Sequence, residues 1–147
     1  MEFNKKMAKH AAFDIGDQWV GVAISDSLGM FARPYTSIRR EELDAFLEKF
    51  IIDEQLASIV IGLPKTMKGS ESSQTTSTRE LCARLQEKFV AMKFVLWDER
   101  LTSQWAGQLS KNKKYNQHSM KSAREDKIKE HARAAAYILD SYLPSQQ

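Results

Sequence analysis

The chain contains a single cysteine, Cys82, so no intrachain disulfide can form and no disulfide framework holds the fold. Three prolines and six glycines in 147 residues are too few for a collagen-like chain or a Pro/Gly-rich disordered one. No apolar run approaches the roughly 20 residues that a membrane-spanning helix needs. The opening MEFNKKMAKH carries charge but no apolar stretch, so no secretory signal is expected. One cysteine and three scattered histidines, His10, His118 and His131, cannot make a structural zinc centre. Gly-x-Ser-x-Gly is absent, which excludes the nucleophile elbow of the α/β-hydrolases. Gly-Lys-Ser/Thr is absent too, which excludes a P-loop.

What is present is an ordinary globular balance of 42% apolar and 28% charged residues. A chain of this length buries roughly 70% of the surface exposed by its unfolded form, so residues 1–147 are expected to fold as one domain. Net charge is +3, but its distribution says more. Acidic and basic side chains nearly balance up to residue 100, whereas the stretch 101–124 holds five bases (Lys111, Lys113, Lys114, Lys121, Arg124) and no acid. Such a segment suits a polyanionic partner, and equally it can be a solvated loop.

The punctuation predicts one continuous α/β arrangement. Ala11–Ile15 is a short apolar run. Trp19–Ser25 alternates, with Val20, Val22 and Ile24 on one face and small Gly21 and Ala23 on the other. The turn Gly16-Asp17-Gln18 makes these two runs a hairpin, and Tyr35–Ile38, after the break at Pro34, is a candidate third strand. Leu43, Phe46, Leu47, Phe50 and Ile51 recur at helical spacing. Ser58–Gly62 reads as a strand buried on both faces. After a polar loop, Pro64 to Ser73, a second helix is marked by Leu81, Leu85 and Phe89, and a strand by Lys93–Leu96. A short helix is expected from Thr102. Ser122-x-x-Glu125 has capping-box spacing and opens a last helix to about Tyr142. The order β-β-β-α-β-α-β-α-α implies a mixed, five-stranded sheet with helices on its faces. Asp14, the Gly62 loop and the Asp98-Glu99 pair all fall at the carboxyl ends of strands, where ligands of such sheets sit.

Each motif has a plain reading beside the chemical one. Asp14-Ile15-Gly16 sets a carboxylate at a strand end beside a bare backbone that a phosphate or metal could approach, or is only turn chemistry. Adjacent strand residues point to opposite faces, so at most one of Asp98 and Glu99 can face Asp14. Two converging carboxylates with no internal base invite a hard cation. The loop from Gly62 through Lys65, Lys68, Gly69 and Ser70 could cradle a phosphate. Cys82, beside Leu81 on a helix, is expected in the core. His131 falls on the apolar stripe of Ile128, Ala135, Ile138, Leu139 and Tyr142. It is therefore either a hydrogen-bonded core residue or a group aimed at the carboxylates.

DIGDQWVGVAISD, IVIGLPKTMKGSES, DERLT and AAAYILDSYL resemble, in order and spacing, the successive motifs of the YqgF/RuvX family, from about Ala12 to Leu143. The resemblance implies an RNase H-like fold related to RuvC-type Holliday junction resolvases. It also implies a cytoplasmic, Mg²⁺- or Mn²⁺-dependent phosphodiester hydrolase, a pre-16S rRNA nuclease of ribosome biogenesis. Its partner would be nucleic acid (precursor rRNA or branched DNA), with no membrane, and the protein a monomer or weak homodimer. By the same resemblance Asp14 and Glu99 are metal ligands and catalytic. Arg100, Lys68, Gly69 and Ser70 would contact substrate phosphates, with Lys113, Lys114, Lys121 and Arg124 along the backbone. Three departures stand out. Gln18 and Trp19 replace a basic pair, and Thr66-Met67-Lys68-Gly69 replaces an Asn-Met-Asp-Gly loop. His131 replaces a helical Asp, and would act as third ligand or general base. The alternative function is a binding module that kept the fold with weakened catalysis, or a junction-resolving DNA nuclease.

Overall fold

A computed structural model describes residues 8–64, 73–98 and 122–147. Strands β1 (Lys9–Ile15), β2 (Trp19–Ser25) and β3 (Ala32–Arg39) form a meander. A single 3₁₀ turn, Arg40–Glu42, leads into helix α1 (Leu43–Glu54). Then come β4 (Leu56–Leu63), α2 (Ser73–Lys88), β5 (Lys93–Asp98), α3 (Ser122–Tyr142) and a terminal 3₁₀ turn, Leu143–Gln146. The sheet order is β3-β2-β1-β4-β5. β1 pairs antiparallel with β2 and parallel with β4, and β4 pairs parallel with β5, so the expected five-stranded mixed sheet is present with β1 at its centre. The short helix expected from Thr102 lies outside the described residues, as does most of the loop expected at Pro64–Ser73; Ser73 already opens α2.

Two strands differ instructively from their sequence reading. β3 runs straight through Pro34 rather than starting after it. It is an edge strand, and the ladder with β2 shifts register where Val22 pairs Thr36 and Ala23 pairs Pro34. An edge position at a bulge is where a residue without an N–H is tolerated. β4 begins at Leu56 because α1 ends abruptly: Gln55 adopts the left-handed conformation (φ 51°), and its N–H caps the Ile51 and Ile52 carbonyls.

The two faces of the sheet are packed differently. On one, large side chains from β1, β2 and β4 (Phe13, Val22, Ile24, Ile59, Ile61) meet Leu43, Leu47 and Phe50 of α1 and Leu81, Cys82 and Leu85 of α2. On the other, the strands present small residues, Ala12 and Ala23, with Val60, and α3 lies on them through Ala135, Ala136, Ile138, Leu139 and Tyr142. Small residues under a helix let its backbone come close. At Gly21 the approach is extreme, for a Cβ there would stand 1.9 Å from the His131 carbonyl oxygen. The cross-strand pair Asp14–Gly21 therefore fixes which turn of α3 lies beside Asp14.

Candidate active site

Asp14 is the next-to-last residue of β1, on the face covered by α3. Opposite it on β2 is Gly21, and the backbone of His131 rests on Gly21. The consequence is direct: His131 Nδ1 lies 3.7 Å from Asp14 Oδ2. This is ion-pair range, too long for a hydrogen bond. Both side chains keep a path to solvent, at 35% and 22% exposure. The imidazole also lies over the β1–β2 turn, since a Cβ on Gly16 would meet His131 Cε1 at 3.3 Å. Glu130, one residue earlier on α3, is exposed; it is His131 that meets Asp14.

The turn bearing this edge is held from three sides. The Gly16 N–H donates to the Trp19 carbonyl at 2.8 Å, and the Arg40 N–H to the Gln18 carbonyl at 2.9 Å. The Arg40 guanidinium donates to the Gly16 carbonyl at 3.2 Å and to Ser77 Oγ on α2 at 3.4 Å. Arg40 thus ties the chain after Asp14 to the first turns of α2. Beside it, Arg39 Cζ sits 4.7 Å from the centroid of the Trp19 ring. Neither arginine stood out in the sequence; the adjacent pair Arg39-Arg40 was the available signal, but only the β2–β3 register brings it to the Asp14 edge.

At the end of β5, Trp97 faces α3, donating from its indole N–H to Ser141 Oγ at 2.7 Å and meeting the Tyr142 ring edge-on at 5.3 Å. Alternation then gives Asp98 the parity of Phe94 and Leu96, on the α1/α2 face away from Asp14. Glu99, Arg100, Lys68, Gly69, Ser70, Lys113, Lys114 and Lys121 lie outside the described residues, and Arg124 falls in the first turn of α3. Cys82 is buried and its thiol is pushed up by burial, which makes it a packing residue rather than a nucleophile.

Among the described residues Asp14 and His131 are two donors of a possible metal set, and no third His, Cys, Asp or Glu joins them. The pair fits one ion: at bonds of about 2.1 Å, neighbouring ligands of an octahedral ion sit about 3 Å apart, a small closure from 3.7 Å.

A sheet of this order, with one helix across the face that carries Asp14 near the end of the central strand, has the architecture of the RNase H-like fold. The same fold occurs in the solved structure of Thermus thermophilus RuvC in complex with a Holliday junction substrate, at a TM-score of 0.57 and 10% identity over 95% of either chain. A family model described as "RuvX: Holliday junction resolvase" matches residues 8–145, and the chain belongs to that family. A Clostridium botulinum relative named "Putative pre-16S rRNA nuclease" is 34% identical over 139 residues, 90% of this chain and 93% of its own length. Relatives of the same name from Rhodobacter capsulatus and Rubrobacter xylanophilus are 42% and 37% identical, each over 63% of this chain, and the match spans 60% and 67% of their lengths.

Proposed function

We propose that this protein is a metal-dependent nuclease that hydrolyses phosphodiester bonds of the small-subunit rRNA precursor in the cytoplasm. The observation that carries the reading is the Asp14–His131 pair, set over the bare backbone of Gly16 at the carboxyl end of the central strand. The name shared by the relatives supports RNA as substrate, whereas the description of the family, a Holliday junction resolvase, favours branched DNA as the second reading.

In this reading Asp14, Glu99 and His131 hold Mg²⁺ or Mn²⁺. The ion would activate water and neutralise charge building on the phosphate oxygens. Asp14 and Glu99 each contribute an anionic oxygen, and His131 a neutral nitrogen where a carboxylate would bring a third charge. Arg100 holds the phosphate through its planar fork. Lys68, Gly69 and Ser70 steady a neighbouring phosphate, and Lys113, Lys114, Lys121 and Arg124 follow the backbone without reading sequence.

The test is incubation with precursor rRNA and with a four-way DNA junction, in Mg²⁺, Mn²⁺ and EDTA lanes. Metal-dependent cutting of the RNA is expected, and its loss in Asp14→Asn, which removes the charge while keeping the shape. Imidazole suits Mn²⁺ better than Mg²⁺, so the parent should favour Mn²⁺ and His131→Asp should gain Mg²⁺-supported cutting. Binding without cutting under any metal would make the chain a binding module, and cutting of the junction alone would make it a DNA nuclease.

A further inference from the structure

The Asp14 edge carries a second arrangement, built by Trp19 and Arg39. The two residues are direct cross-strand partners at the end of β3 and the start of β2. Trp19 has the parity of Gly21, so the pair lies on the α3 face, the face of Asp14. Strand spacing of about 4.8 Å and a rise of about 3.4 Å per residue put Arg39 roughly 12 Å from Asp14, backbone to backbone. That distance suits a neighbouring group of the same substrate strand rather than the scissile one.

The chemistry of the pair points to an anion. Arg39 is exposed, while Trp19 beneath it is half-buried, and the guanidinium lies 4.7 Å above the ring centroid. A cation over a ring face is attracted to it, and an exposed guanidinium held there keeps a fork of N–H donors that can take a phosphate bidentately. Among the described residues no carboxylate pairs with Arg39. It borders an open hollow of about 380 Å³ shared with Asp17, Gln18, Arg40 and Glu41. The two acids there offset general attraction, so recognition rests on the guanidinium of Arg39 itself, and Arg40 is already committed to Gly16 and Ser77.

We propose that Arg39, held over the Trp19 ring, binds a backbone phosphate flanking the bond to be cut. The proposal rests on the nucleic-acid reading above and adds a contact that replaces the basic pair absent at Gln18 and Trp19.

Binding of a fluorescent single-stranded RNA by the full chain in EDTA, across a salt series, tests it apart from catalysis. Arg39→Ala should weaken binding several-fold and reduce the slope of log K against log[salt] by about 0.7, one contact on a single strand. Arg39→Lys should restore the slope but not the affinity, because an ammonium lacks the fork. Trp19→Leu should lose affinity with the slope kept, and a thermal melt confirms that each variant is folded. Unchanged affinity and slope in Arg39→Ala overturn the proposal, as does failure of the parent to bind RNA. A parent that binds through Arg39 yet cuts nothing sinks the nuclease reading and leaves this site standing.

Discussion

His10 and His131 are the same residue type on the same face of the sheet, with opposite fates. His131 keeps a route to solvent beside Asp14. His10, at the start of β1, is buried; its Nδ1 lies 2.6 Å from Ser58 Oγ and its ring meets Tyr142 edge-on at 5.9 Å. Burial, with the Lys93 charge adding to it, pushes the His10 pKa below 6.5. The unfolded chain takes up the proton near pH 6.5 and the native state only at lower pH. This contribution to stability is complete above about pH 6.5 and is lost as pH falls toward the lowered native value. Urea midpoints measured from pH 7.5 down to 5.5 should fall in the parent, and less in His10→Gln, whose amide cannot take up the proton. Parallel pH profiles for the two would show that His10 is not the titrating group.

Gly21 governs how α3 meets the sheet. A Cβ there would stand 1.9 Å from the His131 oxygen and 2.8 Å from the Ala132 nitrogen. These are backbone atoms with no rotamer to yield, so Gly21→Ala must lift the helix. Overpacking of this kind costs about 1–3 kcal/mol, and here it also draws His131 from Asp14. Chemical denaturation should show the loss of stability, and any metal-supported cutting should fall further than stability alone explains. Ala23→Gly, on the same strand face but with room for its present methyl, should cost stability without that extra loss. The alternation of β2 was legible from Trp19–Ser25. Pro34 misled because whether a strand is an edge is a property of the sheet, absent from the local pattern.

Across the molecule, α1 and α2 are tied by a charged clamp. Arg84 donates to both Asp44 oxygens, at 2.7 and 2.9 Å, and Lys88 to one of them at 3.1 Å. These hydrogen bonds, Arg84's first, hold the Asp44 carboxyl down to about 2. Its native pKa being the lower one, the stabilisation is present above about pH 4 and is lost as pH falls through about 2. The partners are largely solvated, so Asp44→Asn should cost only about 0–1 kcal/mol at neutral pH. That difference should shrink in high salt, and a larger, salt-independent loss would mean the helix pair depends on Asp44 for packing instead.

The sequence by itself determined the alternation of elements, the two-sided burial of β4, the core position of Cys82 and the choice of Asp14 and His131 as residues of interest. Those follow from local periodicity and from residue chemistry, which act over a few positions along the chain. Only the tertiary structure decided that α3 crosses the face carrying Asp14, that a glycine on β2 sets which helical turn lies there, that Asp98 has the other face, and that Arg39 lies over the Trp19 ring. Each of these depends on strand order, register and the approach of a helix far away in sequence. The alternation of large and small side chains on β2 is local, but which helix packs on each face of the sheet, and at which turn, is set by contacts between segments distant in sequence.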